Sequence, residues 1–253
     1  MYDLVDPLLP VRAHALIALS QLLERRDPET WRHRRQLLHV FQEKLSDDDS
    51  YVYLAAVRGL ACLADLCTDQ VVAGLCQQYT AAERDPDTRL KLGEAIVLMV
   101  RNLGDMAPRY RERLLGTFLA GCRDGDHLLR ASSLSSLAEV CRLLRFSLAG
   151  AVHEIFSCLS ALLDTDPALE VRRAAVLVLA QLLTGLGVDA LKVLEELLPA
   201  LYRRLKALLR REHDPALLHH TQTALDQLEL ATRQLLFPSR RLEKRITVLG
   251  TPQ

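Results

Sequence analysis

One spacing of apolar residues recurs six times along the chain. An acidic residue is followed five positions later by an aliphatic, then by apolar or small residues at +4, +7, +8 and +11 from it. The aliphatic anchors are Val11, Val52, Leu92, Leu129, Val171 and Leu217; the acids before them are Asp6, Asp47, Asp87, Asp124, Asp166 and Glu212. Offsets of 4, 7, 8 and 11 fall on one face of an α-helix. Small residues predominate at +4 and +7, where a neighbouring helix comes close, and large aliphatics at +8 and +11, where they fill the space between helices. The anchors are 41, 40, 37, 42 and 46 residues apart, a period that overlaps the ~40–47 residues of HEAT and armadillo repeats.

Second amphipathic stretches lie between these helices, at roughly 31–45, 68–82, 107–121, 148–164 and 189–211. Each repeat is therefore predicted to be a helical hairpin whose apolar stripe needs a neighbouring hairpin to cover it. The connectors leave no room for the third helix of an armadillo repeat. Asp-Pro pairs at Asp6, Asp27, Asp85, Asp166 and Asp214 read as helix starts: Asp caps, Pro fits the first turn, and the residue before Pro is pushed out of the α region. The expectation is an all-α solenoid of HEAT-type hairpins over residues 1–237, with five hairpins and one leading unpaired helix. The chain opens inside the second helix of a repeat, which fits the C-terminal end of a longer solenoid or an isoform beginning internally. A basic, flexible tail is expected over 238–253.

Composition sharpens this picture in three ways. Apolar residues make up 49% of the 253 positions and aromatics only 5%, so Leu and Ala carry the packing, as stacked helices require. Lys+Arg and Asp+Glu are both 32, so no global field draws the chain to nucleic acid or anionic lipid. The six cysteines, Cys62, Cys67, Cys76, Cys122, Cys141 and Cys158, lie in apolar helical contexts without a basic-then-apolar leader, which reads as buried free thiols in a reducing compartment. No uninterrupted apolar run approaches the ~18 residues of a membrane span. The nearest, Ala174 to Val188, is broken by Gln181, Thr184 and two glycines.

Candidate chemistry is sparse. There is no phosphate loop, nucleophile elbow or catalytic carboxylate pair, and no cofactor is expected. Asp47-Asp48-Asp49 reads as a helix start rather than a metal loop. Cys62-x4-Cys67 lacks zinc spacing, and His213, His219 and His220 lack a recognisable fourth partner. An Arg six positions after the acid recurs in three repeats, as Asp6/Arg12, Asp124/Arg130 and Asp166/Arg172. Such residues are expected to form a structural ladder between adjacent repeats, because Arg forks match carboxylates. Tyr53, Gly93 and Leu218 replace the Arg elsewhere, leaving the ladder incomplete. Possible partner contacts are Trp31, Tyr53, Arg203, Arg204, Arg210 and Arg211, with Arg240 and Arg241 in the tail. For the basic runs, a solvated face competes with an acidic partner, RNA, an import signal or a membrane surface. For Trp31, a hydrophobic staple is favoured over an exposed binding anchor.

Several stretches resemble one family. They are Asp-Pro-Leu-Leu-Pro-Val-Arg-Ala-His-Ala-Leu (6–16), Ser-Asp-Asp-Asp-Ser-Tyr-Val-Tyr-Leu-Ala-Ala (46–56) and Gly-Asp-Met-Ala-Pro-Arg-Tyr (104–110), together with residues 129–141 and 166–176. They are similar to the C-terminal part of the Transport and Golgi organisation protein six family, over about residues 4–237. Its fungal relatives are a nuclear-transport and assembly factor for RNA polymerase II. The resemblance implies a non-catalytic cytoplasmic scaffold that shuttles to the nucleus. Its implied partners are polymerase II subunits and their chaperones or transport factors, with no direct nucleic-acid contact. The alternative it implies is a peripheral factor on Golgi or endoplasmic reticulum membranes, needed for secretion.

Overall fold

The computed structural model describes residues 8–81 and 85–237, the side chains of 9, 65–67 and 146 excepted. All regular structure among the described residues is helical. The anchors and their +4 to +11 partners build an inner layer: α1 (Leu9–Glu24), the first arm of α4 (Ser50–Thr80), α5 (Pro86–Leu103), α7 (His127–Leu144), α9 (Leu169–Leu186) and α12 (Pro215–Leu236). These pack on one another in chain order. The outer layer is α2 (Pro28–Arg32) with α3 (Arg34–Lys44), the second arm of α4, α6 (Arg111–Gly121), α8 (Val152–Thr165), and α10 (Ala190–Val193) with α11 (Leu198–Arg211). Consecutive outer helices α6, α8 and α11 barely touch. Close packing in one layer and splaying in the other bend a stack toward the close-packed layer. The result is an α-solenoid of five hairpins behind a leading helix.

Burial follows the repeat. Val52, Leu92, Leu129, Val171 and Leu217 are fully enclosed, each removing roughly 1.5–3 kcal/mol worth of apolar surface from water. The small positions allow close approach. A Cβ on Gly185 of α9 would come within 2.9 Å of the Cys141 carbonyl oxygen in α7, so the two backbones touch there.

Five boundaries differ from the sequence expectation. The expected helix at 68–82 is not separated from the one before it: α4 runs from Ser50 to Thr80 without a break. It is nonetheless folded back. Arg89 reaches the Tyr79 carbonyl while Lys91 reaches the Tyr53 ring, and 26 residues of straight helix would rise about 39 Å. The hairpin needs no connector because both arms stay helical up to the bend. The outer helices expected at 107–121 and 148–164 begin instead as 3-10 segments, Gly104–Tyr110 and Arg145–Ala151. The expected stretch 189–211 divides into α10 and α11. Finally, Asp27, Asp85 and Asp214 cap α2, α5 and α12, whereas Asp166-Pro167 does not start its helix. α9 begins at Leu169 with Ala168 at its N-cap, and the Asp166 carboxylate accepts from the Ala168 N–H and from Arg130 instead.

Leu169–Val193 and Ser147–Thr165 reach mean hydropathies of 1.9 and 1.2, enough in length and composition to cross a membrane. Averaging passes over the polar interruptions. Here α9 lies between α7 and α12, and its apolar residues form the centre of the core. Cys62, Cys76, Cys122 and Cys141 are buried, and Cys158 is half-buried.

Candidate interaction surfaces

A ladder of ion pairs runs along the connectors on one edge of the array. Arg130 donates twice to Asp166, Nε to Oδ2 at 2.7 Å and Nη2 to Oδ1 at 3.1 Å. Its Nη1 also holds the carbonyls of Asp124 and Gly125. One guanidinium thus clamps its own connector to the next repeat's carboxylate. Arg172 holds the carbonyls of Asp166 and Pro167 in the same way and lies 3.7 Å from Glu212. Arg173, the next residue, takes Asp214 through two hydrogen bonds. Arg12 lies 3.8 Å from Asp47; Asp6 lies outside the described residues.

Where the Arg is replaced, other residues fill the rung. Lys91 sits 4.7 Å from the centre of the Tyr53 ring and donates to the Asp47 carbonyl at 3.1 Å. Tyr53 is therefore engaged within the array. Arg89 donates to Asp124 at 2.7 Å and to the Tyr79 carbonyl at 2.8 Å. Sequence reasoning missed both cations. Each lies within four residues of Asp87, in the repeat whose ladder position is Gly93, but at no offset of the pattern. The Tyr79 hydroxyl meets Ser133 at 2.6 Å, tying α4 to α7. Burial pushes the Tyr79 phenol up to about 12.

The rung carboxylates are electrostatically spent. Burial alone would raise Asp166, but hydrogen bonds from Arg130 and the Ala168 N–H hold it below its usual range. At Asp124, burial is likewise outweighed by the Asp126 N–H and Arg89. Arg173 and the Leu217 N–H hold Asp214 at about 2. Asp49 caps α4 through the Tyr51 N–H, while Asp47 accepts from the Asp49 N–H. His219 and His220 are side by side on α12. Among the described residues, no three His, Cys, Asp or Glu groups converge as a metal site would require.

Two of the outer-layer grooves hold the candidate contact residues. The first is lined by Trp31, Arg34, Arg35, Met106, Arg109 and Tyr110. Trp31 does not staple α2 to the apolar core. α2 is only five residues long, and Arg34 covers the indole at 5.5 Å to its centroid. Trp, Tyr, Met and Arg are the residues enriched at protein interfaces. Tyr110 donates to Asp69 at 2.6 Å and Arg109 lies 3.6 Å from it, which fixes one wall. Met106, Arg109 and Tyr110 were invisible in sequence because only the stacking of repeats brings them to Trp31.

The second groove, about 460 Å³, lies between α8 and α11. Arg204 crosses it to Asp164, Nη1 to Oδ1 at 2.7 Å and Nη2 to Oδ2 at 3.1 Å. Arg203 and Arg211 line the same groove, and Arg210 is exposed beside it. Arg240 and Arg241 lie outside the described residues.

Comparison with known proteins places this architecture. Residues 1–106 match the family described as "Required for nuclear transport of RNA pol II C-terminus 1". Over 244 residues, 95% of the chain, the sequence is 32% identical to Transport and Golgi organization protein 6 of Drosophila melanogaster. The chain is a relative of the Transport and Golgi organization protein 6 family. It is also 24% identical, over 75% of its length, to the RNA polymerase II assembly factor RTP1 of Saccharomyces cerevisiae. It spans 26% and 21% of the lengths of these two relatives. In fold it is similar to the karyopherin Kap121p, with a TM-score of 0.66, 14% identity, and coverage of 93% of this chain and 24% of that one. A designed armadillo repeat protein gives a TM-score of 0.53 at 18% identity, covering 90% of this chain and 97% of the other. In fold, then, the chain is a helical-repeat array.

Proposed function

We propose that the chain is part of a non-catalytic scaffold that holds RNA polymerase II subunits during assembly and nuclear import. The observation that carries the reading is the match of residues 1–106 to a family described by polymerase II nuclear transport, reinforced by relatives named as polymerase II assembly factors. The structure supports it with a repeat array that has open outer grooves, one of them rich in the residue types of protein interfaces. The partners are proteins, and the chain works in the cytoplasm while shuttling to the nucleus. The basic segment 238–253 serves import or protein contact rather than lipid contact.

A pull-down with the tagged chain tests this. Polymerase II subunits recovered at salt near 0.15 M, and lost on Trp31→Ala with Met106→Ala, are the expected result. The name of the Drosophila relative favours a second reading, a peripheral factor of the secretory pathway. Recovery of coat or tether proteins in place of polymerase subunits, or flotation with anionic liposomes that disappears when Arg240, Arg241, Lys244 and Arg245 become Gln, would promote that reading.

A further inference from the structure

We infer that the groove between α8 and α11 docks an acidic, extended segment of a partner protein with the pattern acid–x–aliphatic–x–acid. The inference stands on the groove's own chemistry and is independent of the polymerase reading.

α11 carries Arg203, Arg204, Lys206, Arg210 and Arg211 and no acid. Its apolar side is committed inward through buried Leu201 and Leu205. The acids bordering the groove are already engaged: Asp164 by Arg204 and Glu212 by Arg172. The Arg204 hydrogen bonds hold Asp164 below the usual carboxylate range. Lys206 lies over Tyr202 and faces α12. Arg203, Arg210 and Arg211 make no ion pair among the described residues. The groove is thus a site of uncompensated positive charge on a chain whose formal net charge is zero.

The spacing of these charges selects the ligand. Arg203 and Arg211 are eight residues apart on one helix, about 12 Å along its axis. In an extended chain, residues i and i+4 are about 13 Å apart and share a face with i+2. Two carboxylates at i and i+4 would therefore meet the two arginines, with the i+2 side chain over the floor formed by Phe156, Leu163 and Leu208. That floor is recessed: Leu163 is buried, and Phe156 and Leu208 are half-buried. Insertion into a membrane interface needs apolar side chains standing beyond the cations, and here they lie below them. Single-stranded RNA needs open aromatic faces for its bases; Phe156 is half-buried in the floor, and Tyr202 lines the opposite side of α11, toward α12.

The test is fluorescence anisotropy with the 253-residue chain and a labelled 11-residue peptide centred on Glu-Ala-Leu-Ala-Glu. We expect micromolar binding that weakens at least tenfold in the double variant Arg203→Glu, Arg211→Glu. The double variant Arg25→Glu, Arg32→Glu, an identical charge change at the far end of the array, is expected to bind normally. A peptide of the same composition with its two acids adjacent is expected to bind at least tenfold more weakly. Melting curves check that each variant is folded; all four positions are exposed, so unchanged curves are expected. Absence of peptide binding, equal weakening in both double variants, or equal binding of the rearranged peptide overturns the proposal. So does a site that ignores the peptide but binds phosphatidylserine–phosphatidylcholine vesicles or a U12 oligonucleotide through Arg203 and Arg211.

Discussion

The first repeat and the fourth carry the same pattern and are held very differently. In the fourth, Leu129, Leu137 and Val140 are fully enclosed, and Arg130 grips Asp166 with two hydrogen bonds. In the first, Val11 and Leu19 are only half-buried, Leu22 is 38% exposed, and Arg12 stands 3.8 Å from Asp47. The amino acids at equivalent positions are nearly interchangeable, so the difference comes from the neighbours. A repeat supplies half of each interface, and a position is as buried as the helices flanking it on both sides. Identical sequence signals therefore mark unequal stabilities along one array.

The largest expected contrast is in the core. Leu137→Ala removes a side chain with no exposure and is expected to cost about 3 kcal/mol, the usual range for a buried leucine. Leu22→Ala in the first repeat is expected to cost about 1 kcal/mol or less, because much of that side chain is already hydrated. Urea denaturation of the two variants measures both. Equal costs would mean that the first repeat is as enclosed as the fourth.

Next comes the ladder. Arg130→Gln leaves the Asp166 carboxylate, 4% exposed at its side chain, without its fork. Breaking one partner of a pair this enclosed costs about 2–3 kcal/mol, whereas Arg12→Gln, at a longer and looser pair, should cost under about 1 kcal/mol. Acid titration tests the Arg130 rung as well. Asp124, Asp166 and Asp214 have folded values below the ordinary 3.8. Their contribution is complete above about pH 4, and it drains as pH falls through the lowered folded values, down to about 2 for Asp214. Stability measured between pH 4 and 2 should fall less steeply in Arg130→Gln than in the parent.

The repeat, its helices and its layers could be read from apolar spacing because that spacing is a local, periodic signal. What could not be read has a common cause, which is contact between repeats. Asp166 resembles a cap in sequence, yet Ala168 takes the N-cap position and the Asp166 carboxylate accepts from Arg130 of the preceding repeat. Arg89 fits no offset of the pattern, yet it fills the rung that Gly93 leaves empty. Trp31 is a staple by local rule and a groove wall once Met106 and Tyr110 are stacked beside it. The α8–α11 groove depends on how far the outer helices splay, a property of curvature that no single repeat contains. The basic residues of α11 were evident; that Arg204 is spent on Asp164 while Arg203 and Arg211 are not was decided by the neighbouring hairpin.

The smallest expected effect concerns backbone conformation at the ends of inner helices. Gly104, Arg145 and Gly187 follow α5, α7 and α9 with nearly the same dihedrals: φ 48, 50 and 52°, and ψ −121, −132 and −125°. Glycine adopts this region freely, while a side chain is strained there by about 1 kcal/mol. The repeat thus places glycine at two of three equivalent turns and an arginine at the third. Arg145 is exposed, so Arg145→Gly is expected to raise stability by somewhat under 1 kcal/mol, the relief of strain being offset in part by the greater freedom of glycine in the unfolded chain. Arg26, after α1, also has positive φ, at 55°. Its N–H bonds to the Leu23 carbonyl, and the Asp27 N–H bonds to that of Leu22, the pattern of a Schellman cap with arginine where glycine is usual. Arg26→Gly relieves a similar local strain at the loosely held end. If the first repeat opens before the rest, that relief should slow amide exchange in α1 and α3 while leaving the global urea midpoint nearly unchanged. Arg145→Gly should instead shift the midpoint itself. A midpoint shift as large for Arg26→Gly as for Arg145→Gly would show that the first repeat unfolds together with the centre, and the contrast between the two regions would be one of packing alone.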